Sequence, residues 1–556
     1  MDDAGGRALG WRRLLLLALV SLALFLPGFF SLPPVDRDEA RFAQASKQMI
    51  ESGDFVDIRF QDEPRHKKPA GIYWLQSAAA MLLGRGADSE IWAYRLPSLA
   101  GAVLSVLLTA ATGARLFGAR TGAAAAMLLA GSVLLGVEAR LAKTDAVLLA
   151  CILAAQLALA RVWMERHGTP PAPSNLLLFW LAIGAGLLVK GPIILLACGG
   201  TALLLSLWQR SGRWLLRLRP GLGLPVACLV VLPWLVAIAL ESDGAFFRAS
   251  VGQDLLGKVL TGQESHGAPP GYYAVAVWLT FWPASLLLFL ALPWIWTHRR
   301  DDAVRFCLAW ILPLWIVFEL VMTKLPHYVL PAYPALALLA ARALADGLPA
   351  PGPATAAGRW GRRLRRVVAP VWLALAVTLC AALIGLSLKL DPDALHVPVL
   401  GAVAVIGASA LVLWQLRRGR HDVLPMLLLL PALGLAWLGY EGTLRPTAAL
   451  WPSANVAELV AEVRTTCPTA LVAAAGYREP SLVFLLGTGT VLTDGAGAAA
   501  HLGSGPCALA LVEQREEPAF KAALSRADPP ETIGRVAGVN YSNGRSVDLT
   551  LYGAAR

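Results

Sequence analysis

Residues 14–42 read LLLLALVSLALFLPGFFSLPPVDRDEARF. An apolar run from Leu14 to Leu32 passes directly into a polar segment that holds Asp36, Arg37, Asp38, Glu39 and Arg41. The run is longer than the core of a secretory signal, and no small-x-small cleavage site follows it. It therefore reads as an uncleaved first membrane span. Arg7, Arg12 and Arg13 precede it and place the N-terminus in the cytoplasm. The charges after Leu32 then fall at the outer end of that span.

The rest of the chain repeats this pattern. Apolar runs recur near 93–114, 121–137, 144–162, 175–189, 191–208, 222–240, 271–297, 303–322, 328–345, 367–388, 397–416 and 423–440. A helical span takes about 20 apolar residues, so the sequence predicts a mainly α, polytopic membrane protein with about thirteen transmembrane helices. Gly191 and Pro192 predict a reversal between two short helices at 175–208, with one long kinked helix as the alternative.

Composition agrees with this class. Of 556 residues, 57% are hydrophobic and 15% charged, and the mean hydropathy is +0.59. Soluble domains carry about 25% charged residues, so a water-soluble enzyme and a disordered chain are both excluded. The net charge is +11, from 48 basic and 37 acidic residues. The arginines sit between apolar runs rather than along one face, which is positive-inside bias and not a nucleic-acid surface. With thirteen spans, the arginine-rich segments around 115–120, 161–166, 210–219, 299–300, 359–366 and 417–420 all become cytoplasmic. Dropping one span would invert every later loop.

Two outer segments exceed simple connectors. The first periplasmic loop, 33–90, shows apolar residues at helical spacing (Phe42, Ala45, Met49; Ile72, Leu75, Ala79) and predicts amphipathic helices along the membrane surface. A short extended piece joins them near 55–60. The second long loop, 241–270, holds Glu241, Asp243, Asp254, Glu264 and His266. The expected division is a transmembrane domain over 1–444 and a soluble periplasmic α/β domain over 445–556. In that tail, short apolar runs at 470–474, 484–486 and 508–512 alternate with helical stretches at 454–464 and 517–526. Cys467 and Cys507 are its only cysteines, each just before or at a predicted strand. An oxidising compartment permits a disulfide between them.

Charged side chains at membrane depth tend to be functional, and here they gather at outer span ends. Asp38 and Arg41 follow span one, and Arg65, His66, Lys67 and Lys68 precede span two. Arg140, Lys143 and Asp145 join spans three and four, Lys190 lies between spans five and six, and Lys324 and His327 join spans nine and ten. A cationic site at headgroup level suits a phosphate whose hydrocarbon tail stays in the bilayer. A carboxylate beside it stays ionised and can act as a general base.

The segment Asp38-Glu39-Ala40-Arg41-Phe42, followed by Ser52-Gly53-Asp54-Phe55, Lys68-Pro69 and Tyr73-Trp74, resembles the first outer loop of the aminoarabinose transferase (ArnT) family. More widely it is similar to the GT-C glycosyltransferases that use polyprenyl-phosphate sugars, including the protein O-mannosyltransferases. Arg140 with Lys143-Thr144-Asp145, Lys190-Gly191-Pro192, His266 with Tyr272-Tyr273, Lys324-Leu325-Pro326-His327-Tyr328 and Tyr477-Arg478-Glu479-Pro480-Ser481 follow in family order. The resemblance implies a GT-C fold in the bacterial inner membrane and transfer of a sugar from polyprenyl phosphate with inversion. The implied acceptor is lipid A, another glycolipid, a glycan or a protein. Asp38 and Asp145 are the implied catalytic carboxylates, with Asp38 the general base or the group that orients the acceptor and Asp145 shaping the site. Arg41, Lys68, Tyr73, Arg140, Lys143, Lys190, His266, Lys324 and His327 are the implied carrier-phosphate and substrate ligands.

Two positions depart from the family pattern. Lys67 replaces a glutamate that, with a loop histidine, can hold a divalent metal in the aminoarabinose branch, and a charged lysine is no ligand. His266 fits the histidine of that pair, so the sequence leaves a divalent metal open and makes no cofactor certain. Phe42 stands where tyrosine is common. The alternative reading is a transporter or flippase of a lipid-linked substrate, which would need ionisable groups near the midplane and broken helices. Lys190 with Gly191-Pro192 is the sole feature in its favour.

Overall fold

The computed structural model describes residues 9–250, 252, 268–348, 356–524 and 530–554. Among them, nine helices are long and apolar enough to cross a membrane. The helices that frame the site are α1 (Trp11–Phe25), α2 (Asp38–Ser52), α3 (Gly71–Leu83), α4 (Ile91–Phe117), α5 (Ala119–Ala130), α6 (Val133–Glu138), α7 (Asp145–Met164), α8 (Pro173–Lys190), α9 (Ile193–Gln209) and α10 (Pro220–Glu241). Helices Tyr272–Thr280, Ser285–His298, Asp302–Leu320, Tyr333–Ala345, Ala356–Leu390 and His396–Arg417 follow. The chain is a multi-pass membrane protein.

Several predicted spans are shorter or interrupted. The first ends at Phe25, ahead of Pro27 and Gly28, and the rest of its apolar run forms turns. The run at 121–137 breaks at Gly131-Ser132 into α5 and α6, and the run at 271–297 breaks around Trp282-Pro283. The run at 423–440 becomes short helices that end in a π-helical segment, Trp437–Leu444. At 175–208 the chain makes two helices, α8 and α9, reversing at Gly191-Pro192. A tight reversal leaves no interior helical proline to accommodate.

Two elements are enclosed rather than lipid-facing. α7 is 78% buried and the segment Pro326–Ala345 is 83% buried. Asp145 is the first residue of α7 and His327 the second of the other segment, so their first turns bring ionisable groups into the interior at one end of the bundle.

The first loop contains α2, a two-residue antiparallel pair β1 (Arg59–Phe60) and β2 (Glu63–Pro64), and α3. Asp38 and Glu39 occupy the first turn of α2, where carboxylates favour the helix dipole.

Residues 471–553 build a five-stranded sheet in the order β4-β3-β5-β7-β6: β3 Leu471–Ala475, β4 Val491–Thr493, β5 Ala508–Glu513, β6 Glu531–Asn540 and β7 Arg545–Gly553. β3 is parallel to β4 and β5, while β7 is antiparallel to β5 and β6. Side chains alternate across it. Val472, Ala474, Leu509 and Leu511 pack with Val456, Val460 and Leu482 on one face. Ala473, Ala475, Ala510 and Val512 pack with Ala498, Leu502 and Phe520 on the other. The apolar run at 484–486 is a correction: it lies in a helix, Pro480–Leu486. Phe484 leaves the tail's own core and packs with Ala43, Tyr94 and Ala142 of the membrane-proximal part. Cys467 and Cys507 are joined as a disulfide with Cα atoms 5.8 Å apart.

Candidate active site

A cavity opens where the first loop meets the starts of α7 and of Pro326–Ala345. Asp38, Arg41, Arg65, Lys67, Lys68, Lys143, Asp145, Lys190 and His327 contribute its ionisable lining, and Phe318, Val321, Leu325 and Ile193 supply apolar wall. Six arginines and lysines thus face two carboxylates. Such an excess of cations leaves room for a di-anionic phosphate, and the apolar wall suits a prenyl stem.

Close backbone approaches bring these groups together. A Cβ on Gly71 would lie 2.7 Å from the Leu188 carbonyl oxygen, so the start of α3 packs directly on the end of α8. Lys68 and Lys190 flank that contact in sequence. A Cβ on Gly101 would lie 2.9 Å from the Ala146 carbonyl, which seats α4 against the start of α7 beside Asp145.

A buried ion pair then fixes the first loop. Arg95 of α4 donates through Nε and Nη2 to Glu39 at 2.8 and 2.9 Å, and both residues are 1% exposed. The guanidinium also reaches the carbonyls of Phe29, Leu32 and Pro33. Glu39 accepts from the backbone N–H groups of Val35 and Ala142, each at 2.8 Å. One pair thereby holds the residue next to Asp38 and the residue next to Lys143. Its remaining lone pairs and protons are satisfied, as a buried pair requires.

The two candidate catalytic carboxylates differ. Asp145 is buried, and Lys190 Nζ donates to its Oδ1 at 2.5 Å. Lys143 Nζ reaches Glu138 Oε1 at 3.3 Å, and His327 Nδ1 lies 3.9 Å from the same oxygen. Asp38 lines the cavity and is exposed to it. A base must reach substrate, and Asp38 has that access whereas Asp145 is already partnered.

Three of the expected ligands stand outside the cavity lining. Arg140 donates to the carbonyls of Leu24, Pro27 and Gly136 and stacks 4.2 Å over the Tyr440 ring. It ties α6 to the end of α1. Lys324 Nζ donates to the carbonyls of Phe318, Glu319 and Val321, capping helix Asp302–Leu320. Tyr73 is fully buried beside Phe42, with ring centroids 5.3 Å apart, and its Oη accepts from Arg65 Nε at 3.3 Å. Tyr73 acts on the cavity through Arg65. His266 lies outside the described residues, as do Asp254 and Glu264. Conversely, Arg65 and Lys67 line the cavity and Glu138 supports it, although the sequence reading did not select them as ligands. The contiguous basic run 65–68 was the available signal for the first two. Among the described residues no cluster of three His, Cys, Asp or Glu side chains could hold a metal, and Lys67 contributes a cation where a ligand would be needed. With Lys67 in that place, no step is routed through a metal.

The tail braces the same loop. Ser481 donates its N–H to Asp36 Oδ1 and its hydroxyl to Oδ2, both at 2.8 Å. Burial pushes the Asp36 carboxyl up to about 6, against the lowering effect of the Ser481 hydrogen bonds. Gln44 donates to Thr488, and Gln61 donates to the carbonyls of Thr488 and Thr490.

Comparison with known proteins places these features in context. Residues 67–236 match the family model described as dolichyl-phosphate-mannose-protein mannosyltransferase. The undecaprenyl phosphate-alpha-4-amino-4-deoxy-L-arabinose arabinosyl transferase of Pseudomonas aeruginosa (strain LESB58) is 31% identical over 338 residues, 59% of this chain. The chain spans 60% of the length of that relative. The transferase of the same description from Erwinia tasmaniensis is 28% identical over 397 residues, covering 68% of this chain and 66% of its own. The crystal structure of ArnT from Cupriavidus metallidurans bound to undecaprenyl phosphate superimposes with a TM-score of 0.74 at 19% identity, covering 97% of both chains. Its apo state gives 0.71 at 20% identity. The fold is therefore that of ArnT, a GT-C fold, and in motif order, sequence and architecture the chain resembles the ArnT-like family of polyprenyl-phosphate-sugar-dependent glycosyltransferases.

Proposed function

We propose that this protein is an inner-membrane glycosyltransferase that moves a sugar from a polyprenyl phosphate, of the undecaprenyl type, to an envelope acceptor. The observation that carries this reading is the cavity: six basic side chains and one accessible carboxylate, Asp38, beside an apolar wall. The acceptor class is a lipid A-like glycolipid, a glycan or a protein side chain.

Arg41, Arg65, Lys67 and Lys68 hold the carrier phosphate on the first-loop side. An acceptor hydroxyl or amine enters opposite that phosphate, and Asp38 takes its proton. The acceptor atom bonds to the anomeric carbon as the bond from that carbon to the phosphate oxygen breaks, with inversion. The electron pair leaves with the polyprenyl phosphate, whose negative charge the cations stabilise. Asp145 and Lys190, locked together, shape the floor of the cavity. Binding of the carrier by Arg140, Lys324 and Tyr73 forms no part of this assignment.

The proposed topology keeps thirteen spans, counting α1, α5, α9 and Ser285–His298 with the nine longer helices. It divides the chain into 1–444 and a periplasmic domain over 445–556, with a cytoplasmic N-terminus. The arginine distribution and the Cys467–Cys507 disulfide support it. A C-terminal alkaline phosphatase fusion is expected to be active, and a fluorescent GFP fusion would reverse the topology.

The test of function is transfer from a radiolabelled polyprenyl-phosphate sugar to envelope lipid and protein fractions by purified protein in liposomes. Labelled acceptor is the expected outcome. Movement of the labelled donor across the bilayer without transfer would replace this reading with a flippase.

A further inference from the structure

A second recess lies on the face opposite the active site. α4 links the two faces. Its first turns carry Arg95 at the first loop, and this helix of 27 residues ends at Phe117, about 33 Å beyond Arg95 at 1.5 Å per residue. Just beyond that end, Arg120 joins Arg13 of α1 and His421 and Asp422 at the rim of a groove. Its wall continues down the apolar sides of α5 and Tyr333–Ala345, through Met127 and Leu344.

These features separate by depth. Two exposed guanidiniums stand at the rim, and an alkyl-lined channel runs inward from them. The single carboxylate, Asp422, leaves the rim net positive. This is the complement of a phosphodiester carried on acyl chains. A soluble anion would gain nothing from Met127 and Leu344, and a neutral or zwitterionic lipid would gain less from two arginines. Basic recesses between transmembrane helices suit anionic headgroups in this way.

We propose that this groove holds an anionic phospholipid. Arg13 and Arg120 grip its phosphate, and an acyl chain lies along α5. The site is separate from the sugar-transfer cavity and does not depend on the reaction assigned there.

The experiment reads lipid retention by native mass spectrometry. Protein is released from vesicles of equal phosphatidylglycerol and phosphatidylcholine. The expected result is preferential retention of phosphatidylglycerol. Arg13→Gln/Arg120→Gln should lower that retention about 30-fold, from roughly fivefold per arginine. Arg417→Gln/Arg418→Gln, on the same face but outside the groove, should leave it unchanged. Equal loss in the two double variants would reduce the effect to surface attraction and overturn the site, as would equal retention of the two lipids by the unaltered protein. A photoactivatable phosphatidylglycerol on the unaltered protein gives an arm free of folding effects. Cross-links should fall within 120–127, 341–347 and 421–425, and labelling confined elsewhere would also overturn the proposal.

Discussion

The two sides of the candidate active-site cavity are built on opposite electrostatic plans. The floor, from α6, α7 and α8, carries its charges as close pairs: Asp145 with Lys190 and Glu138 with Lys143. The wall, from the first loop, carries Asp38, Arg41, Arg65, Lys67 and Lys68 toward the open space. Paired charges in a dry interior give shape and cost little once their partners are fixed. Charges that face a cavity keep their capacity to bind and to move protons. The difference teaches that a charge at membrane depth is informative only together with its partner. Floor residues should answer mutation in stability, and wall residues in activity.

The sharpest way to break that contrast is Asp38→Asn. It preserves shape and removes the proposed base, so transfer should fall about 10²- to 10⁴-fold with an unchanged melting temperature. Full activity in a well-folded variant would end the assignment of the base to the wall. Next comes the floor. Asp145→Asn or Lys190→Met alone should destabilise the protein by about 3–5 kcal/mol, because each strands a buried charge. The pair Asp145→Asn/Lys190→Met should recover most of that loss in a thermal or denaturant melt. Additive losses would show that the two residues are not acting as a pair.

Lys67→Ala should raise the donor KM about tenfold, the low end for a hydrogen bond to a charged group, with stability unchanged. Lys67 lines the cavity beside Lys68. No change in KM would confine phosphate binding to Arg41, Arg65 and Lys68.

The smallest effect concerns how the wall is fastened. The Asp36 carboxyl titrates near 6 in the folded protein and near 4 in an unfolded chain. A raised value means the folded form binds the proton more tightly. The resulting stabilisation is complete below about pH 4 and is lost as pH rises through 6. The melting temperature of the protein minus that of Asp36→Asn should therefore decline between pH 4 and 6.5 and then level off. A flat difference would detach Asp36 from the pH response.

Much of this architecture was legible from the sequence. Apolar runs located the helices, because lipid leaves the backbone no other partner than itself. The breaks inside 121–137 and 271–297 were not legible, since Gly-Ser and Trp-Pro within an apolar run are compatible with a kinked continuous helix. In the tail, β7 shows Val547, Leu549 and Leu551 in strict alternation, a readable signal that the search for short apolar runs passed over. Phe484 was misread as strand because its hydrophobicity serves an interface, and periodicity does not report which surface an apolar residue covers.

For the site, the common membrane face was enough to collect Asp38, Arg41, Lys68, Lys143, Asp145, Lys190 and His327. It was too coarse to exclude Arg140 and Lys324, whose ammonium and guanidinium groups satisfy backbone carbonyls. Lys324 follows the end of a helix by four residues, a position from which a lysine can fold back to cap carbonyls. Glu39 and Arg95 are 56 residues apart, and no local pattern announces that they meet.

That last pair has a consequence for a protein embedded in a deformable medium. Bilayers thin, thicken and tilt their helices, and a reaction centre assembled from separate spans would feel each of those motions as a change in its own dimensions. Glu39 grips α4, the turn after α1 and the backbone of Ala142 at once. The mounts of Asp38 and Lys143 are therefore referred to a single fixed point. A membrane distortion that moves α4 is therefore expected to carry the mounts of Asp38 and Lys143 with it, so that the proposed base keeps its place against the cation opposite.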